Sequence, residues 1–183
     1  IFGIAFQVDI GEEAGFAGGI VAAAMSLKAL VNGSGRGVIG WLSDRYGRKQ
    51  CLLAVCAILG CAQFGILWSA EARNLPLFLI FSAISGFGGG AIFPMFAALT
   101  ADYFGENNNA TNYGMVYSSK LVSGLGAGMG AVVVGAWGHS GAFVLAGCIS
   151  FFAGFIALFL SQPGRPKSRD IQPNPQPLGE EMA

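Results

Sequence analysis

Lys28, Arg36 and Lys120 stand inside long apolar runs of a 183-residue chain, and no Asp or Glu lies at comparable depth in those runs. A cation withdrawn from water is costly unless it is paired or hydrated. Each of the three therefore demands a water-filled cavity, an acidic partner from outside the runs, or an anion. A guanidinium grips a carboxylate through two parallel hydrogen bonds, whereas an ammonium acts as a compact point charge. One of each suits a dicarboxylate, or one carboxylate plus another acceptor.

Spacing groups these residues further. Lys28, Asn32 and Arg36 recur every fourth residue, which on a helix makes one slowly drifting polar stripe, expected to face a cavity. Arg36 precedes Ser43 by seven residues, roughly 10 Å along a helix. Lys120 lies at a comparable distance into its own run from the same side, so the two can converge on one ligand. Lys28 can instead snorkel or lose its proton. Tyr113, Tyr117 and Lys120, at spacings of four and three, share a helix face, which sets Tyr117 beside Lys120. The plainer roles are pairing with another part of the protein for the cations, and packing for the tyrosines.

A second charged group is compact. "GWLSDRYGRK", from Gly40, carries Asp44, Arg45, Arg48 and Lys49 within ten residues. A carboxylate at the end of one helix can hold the positive N-terminus of the next and pair with arginines at a sliding contact. The bland alternative, that the basic residues mark one face of a membrane, is compatible with it.

The elements that must position these residues are membrane helices. Apolar residues make up 54% of the chain and charged ones 11%, with mean hydropathy +0.59; soluble domains carry about 25% charged residues. Runs of a length to cross the hydrocarbon fall at residues 15–41, 51–70, 76–101, 112–136 and 141–161, preceded by a partial one at 1–8. The polar breaks are 9–13, 43–50, 71–76, 102–112 and 137–141. Residues 162–183, rich in Pro, Gln and charge, are expected to form a disordered tail. Taking alternate breaks as one side, Arg45, Arg48, Lys49, Arg165, Lys167 and Arg169 face Arg73 alone. The excess assigns the "GWLSDRYGRK" stretch and the tail to the cytoplasm. Gly86/Gly90, Gly124/Gly128 and Gly126/Gly130 have the spacing for close helix approach, and Pro94 is expected to bend its span.

Several classes are disfavoured. Zero net charge gives no footprint for nucleic acid. Cys51, Cys56, Cys61 and Cys148 lie in apolar runs and read as buried small residues, and no Cys/His spacing suits a metal. The single His139 has no convergent acid in the sequence pattern, so no catalytic constellation is expected, and no cofactor. With no initiator Met and an opening in mid-apolar sequence, the chain reads as a fragment.

The pattern Gly-x-x-x-Asp-Arg-x-Gly-Arg-Lys at Gly40, Asp44, Arg45, Gly47, Arg48 and Lys49 resembles the loop signature of the major facilitator superfamily. "NGSGRGVIGWLSDRYGRK" from Asn32, "FPMFAALTADYFGE" from Phe93 and "NYGMVYSSK" from Asn112 are similar to oxalate/formate antiporters and related monocarboxylate transporters. The "ENNNATN" loop and Lys28 depart from that pattern. The resemblance implies an all-α membrane protein: the C-terminal six-helix bundle, from the end of helix 7 through helix 12, of a twelve-helix fold. It implies secondary active transport of small carboxylates such as oxalate or formate by alternating access, with a missing N-terminal six-helix half as partner. Its setting would be the lipid bilayer of a plasma or bacterial inner membrane. Arg36 and Lys120 match a substrate-binding arginine on helix 8 and a lysine on helix 11, and the Gly40–Lys49 motif would latch the outward-open state. Antiport is favoured because no Asp, Glu or His lies deep in the spans to carry a proton. A proton-coupled monocarboxylate symporter and a transporter-like receptor are the alternatives.

Overall fold

The computed structural model describes residues 6–105 and 109–161, without the side chains of 109, 122, 123 and 125–127; the expected tail at 162–183 lies outside the described residues. Among the described residues six helices follow one another: α1 (Gln7–Glu13), α2 (Gly18–Tyr46), α3 (Arg48–Glu71), α4 (Leu75–Phe104), α5 (Asn109–Tyr117) and α6 (Ser119–Ala157). Among the described residues there is no strand. α6 is two arms, 119–137 and 139–157, joined at Gly138, whose φ of 70° breaks the helix. Only glycine takes that backbone angle without strain. Gly47, with φ 101°, makes the equally tight joint between α2 and α3. α4 begins where the Asn74 side chain accepts a hydrogen bond from the Leu77 N–H, with Pro76 in its first turn, and it runs on through Pro94.

Helix ends reach past the apolar limits. Residues 9–13, expected as a break, belong to α1, because Gln7, Ile10 and Gly11 bury one face while Asp9, Glu12 and Glu13 stay exposed on the other. The polar stretch at 43–50 is likewise helix on both sides of Gly47. Hydropathy locates where hydrocarbon ends, and a helix can continue into water. Three stretches are long and apolar enough to cross a membrane: Arg48–Glu71, Leu75–Phe104 and Gly128–Ala157, the last spanning the Gly138 break. α2 is comparably long, at 29 residues, but carries Lys28 and Arg36 along its length.

Glycines set how the helices meet. A Cβ at Gly86 would run into the Lys28 carbonyl, one at Gly90 into that of Asn32, and one at Gly35 into that of Phe87. Position 86 thus faces 28 and 90 faces 32, so α2 and α4 lie parallel with their backbones in contact, as small-xxx-small spacing allows. α3 and the second arm of α6 run antiparallel: the Phe151 ring fills the space beside Gly60 and the Phe64 ring that beside Gly147, and the two rings stack at 6.2 Å. Gly124 and Gly128 behave otherwise, with nothing within 4 Å of where a Cβ would stand. In the Gly126/Gly130 pair, the surroundings of Gly126 lie outside the described residues. The first arm shows its apolar side chains outward, with Leu121 75% and Val132 72% exposed.

The buried core forms two clusters. One joins Ile39, Leu52, Val55, Met95 and Leu99 near the α2–α3 joint, and the other joins Ile10, Ile66, Phe78 and Phe143 near the Gly138 elbow. The bundle therefore has an arginine end, where α2, α4 and α6 finish and α3 starts, and an elbow end, where α1 and α3 finish and α2 and α4 start. Cys51 and Cys56 are buried as expected, but Cys61 and Cys148 are exposed, on faces that packing within the chain does not cover; all four are free thiols.

Candidate functional site

Two of the expected cations, Arg36 and Lys120, are exposed. α2 meets α4 again where Gly35, just before Arg36, faces the Phe87 carbonyl. Beside Pro94, the Phe93 ring receives the Lys120 ammonium at 4.7 Å. Tyr117 completes the seat: its hydroxyl accepts a hydrogen bond from Lys120 Nζ at 2.7 Å, and its ring lies 4.8 Å from the ammonium. Tyr113 packs on Tyr117 at 5.6 Å. An ammonium over two aromatic faces is held without being neutralised. Arg36 is exposed, and its Nη2 makes one long bond of 3.4 Å to Asn32 Oδ1. Among the described residues no carboxylate pairs with either cation. Phe93 was not singled out from sequence; its neighbour Pro94 was, for a bend.

Lys28 departs from the expected stripe. It is 6% exposed, and its Nζ donates to Gln7 Oε1 at 2.5 Å. Gln7 Nε2 in turn donates to Ser82 Oγ, and Ser82 Oγ donates to the Phe78 carbonyl at 2.5 Å. Four residues advance a helix by 400°, so each step along the stripe turns about 40°, enough to carry Lys28 inward while Arg36 points out. Lys28 ties α1 to α2 and α4 and is not gathered with Arg36 and Lys120.

The charged motif builds the arginine end. Arg48 reaches Asp44 at 2.6 Å, Ser43 Oγ at 2.6 Å and Asp102 at 3.0 Å, joining α2, α3 and α4. Lys49 Nζ donates to the Leu158 carbonyl at 2.6 Å, where cations complement the exposed carbonyls of a helix end. Tyr103 donates its hydroxyl to the Ser161 carbonyl. These groups line a cavity of about 250 Å³. Asp44 binds Arg48; the α3 N-terminus begins at Gly47 with no side-chain cap. Arg45 points elsewhere, 5.7 Å over the Trp41 ring. Gly40 is half-buried and lacks a close neighbour, so the glycine whose role is visible in the motif is Gly47. Asp102, 54 residues from Arg48, stands out in the sequence only as part of the polar break at 102–112.

At the elbow end the sequence reading is corrected. His139 does meet convergent acids: Nδ1 lies 2.7 Å from Glu13 Oε1, and Nε2 lies 3.7 Å from Asp9 Oδ2. The missed signal was the spacing of Asp9 and Glu13, one helical turn apart on a single face. The carboxylates take opposite ring nitrogens, an arrangement that cannot share one metal ion, and among the described residues no group of three His, Cys, Asp or Glu is placed to hold one.

Comparison with known proteins agrees with this architecture. The chain is 28% identical to the oxalate:formate antiporter of Oxalobacter formigenes over 175 residues, 94% of this chain and 42% of that protein. It is 28% identical to the 3-(3-hydroxy-phenyl)propionate transporter of Escherichia coli K12 over 160 residues, 81% of this chain and 37% of that one. It is 34% identical to multidrug resistance protein 3 of Bacillus subtilis over 103 residues, 55% of this chain and 19% of that one. The chain thus spans less than half the length of these relatives. The family model of the Major Facilitator Superfamily matches residues 1–181. With its all-helical bundle and apolar spans, the chain belongs to this superfamily of integral membrane transporters.

Proposed function

We infer that the chain is the C-terminal half of a secondary transporter for small organic anions, exchanging carboxylates of the oxalate/formate type by alternating access against an N-terminal half. The observation that carries this reading is that Arg36 and Lys120 are exposed cations with no acidic partner among the described residues. Arg36 binds a carboxylate through its fork, and Lys120, preset by Phe93 and Tyr117, supplies the second charge. Asn32 steadies Arg36. The similarity to an oxalate:formate antiporter supports the substrate class. The excess of Lys and Arg at the arginine end supports a cytoplasmic orientation for that end, in a plasma or bacterial inner membrane, and the Arg48 cluster acts there as a latch that strains when the halves rock.

The test is counterflow in proteoliposomes holding the full-length transporter, loaded with unlabelled oxalate or formate and given labelled oxalate outside. Accumulation is expected, reduced at least about tenfold in Arg36→Gln and in Lys120→Gln, the loss of about 1.4 kcal/mol or more of binding that one charge-assisted contact carries. Uptake driven by a proton gradient without internal anion would replace antiport by proton-coupled monocarboxylate symport. The similarity to a phenylpropionate transporter, whose named substrate is a monocarboxylate, makes that the second reading.

A further inference from the structure

Trp41 and Arg45 stand apart from both the anion site and the Arg48 cluster, on a face of α2 that the described chain leaves open. We propose that this face binds an anionic phospholipid, with Arg45 on the lipid phosphate, Trp41 at the headgroup level and the apolar residues before them along an acyl chain.

Helical spacing builds the face. Leu27, Leu30, Ser34, Val38, Trp41 and Arg45 follow one another at steps of three or four residues, which makes one stripe along α2. Every member is exposed, Leu30 at 74% and Trp41 at 60%, while the side that carries Lys28, Gly35 and Ile39 is buried. Ser34, the one polar side chain before Trp41, returns its hydroxyl to the Val31 carbonyl at 2.9 Å, so it asks nothing of the hydrocarbon.

The stripe ends at the level of a membrane surface. All three tryptophans are exposed, Trp68 and Trp137 towards the elbow end and Trp41 towards the arginine end. Indole rings gather at the two membrane–water interfaces, so Trp41 marks the headgroup level on its side. Arg45 lies one turn further on, and its guanidinium folds back to 5.7 Å over the indole, the direction in which helical side chains lean. The cation is thus held beside the headgroups.

Charge decides which lipid. Arg48 is taken up by Asp44, Ser43 and Asp102, and Lys49 by the Leu158 carbonyl. Arg45 makes no ion pair among the described residues. Stacking on a ring holds a guanidinium without using its N–H donors, so its fork remains for two phosphate oxygens. A zwitterionic headgroup offsets its phosphate with its own ammonium, whereas an anionic one leaves that charge for Arg45. Free phosphate carries the charge but has no chains to cover Leu30 and Val38.

The experiment counts bound lipid on the full-length transporter by native mass spectrometry from detergent, during titration with phosphatidylglycerol or with phosphatidylcholine of the same chains. The wild type should hold phosphatidylglycerol about fivefold more tightly, the size of one basic residue's attraction to an anionic surface. Arg45→Gln should abolish that preference. Arg73→Gln, a cation removed at the elbow end, should keep it, and excess glycerol phosphate should not displace the lipid. Absence of a preference in the wild type would mean that another part of the protein covers the face. That result, a preference that survives Arg45→Gln, an equal loss in Arg73→Gln, or displacement by glycerol phosphate overturns the proposal. No transport is read, so failure of the carboxylate-exchange reading leaves this measurement untouched.

Discussion

The two ends of the bundle are each held by a nitrogen-bearing side chain between two carboxylates, but by different chemistry. At the arginine end the cation is permanently charged, and its partners come from two other helices: Ser43 and Asp44 on α2, and Asp102 on α4. At the elbow end the His139 ring stands between two carboxylates, Asp9 and Glu13, that both sit on α1. The two central side chains are similarly shielded, 21% exposed for Arg48 and 16% for His139, and their nearer carboxylates are alike, 64% for Asp44 and 60% for Glu13; the second ones differ, 33% for Asp102 against 49% for Asp9. What sets the arginine end apart is reach: its carboxylates come from two helices, and Asp102 is the most sheltered of the four.

That contrast can be broken by substitution. The largest effect is expected from Arg48→Met, which strands Asp102 and Ser43 together. It should lower stability by about 2–4 kcal/mol, read as a drop in Tm in detergent at acidic and neutral pH alike. Asp102→Asn should cost less, about 1–2 kcal/mol, because Arg48 keeps Asp44 and Ser43. Gly138→Ala forces a side chain into left-handed backbone and should cost about 1–2 kcal/mol at any pH. It tests whether the elbow itself, and not only the His139 contacts, positions α6. Glu13→Gln is expected to be smallest, under about 1 kcal/mol, since Glu13 is itself 60% exposed. Equal loss of Tm in Arg48→Met and Glu13→Gln would erase the distinction between the ends.

Much of the architecture was legible because it depends on composition and short spacing. The apolar runs marked the helices, and Gly47 and Gly138 fell where the chain had to turn. Gly86/Gly90 announced a close contact that α2 and α4 make. The same spacing at Gly124/Gly128 announced one that the described chain does not make, because a smooth helix face permits approach but does not supply the neighbour. The Lys28–Asn32–Arg36 stripe was real as a period and misleading as a face. A drift of about 40° per step separates a residue bound to Gln7 from one that is exposed.

The sequence by itself determined the solvent and the helices, since both follow from side-chain type and a rise of about 1.5 Å per residue. The tertiary structure decided the partners: Asp102 for Arg48 across 54 residues, and Glu13 for His139 across 126. Helical periodicity fixes which way a side chain leaves its own helix, but what waits there depends on which helix the glycine contacts and the two turns bring alongside.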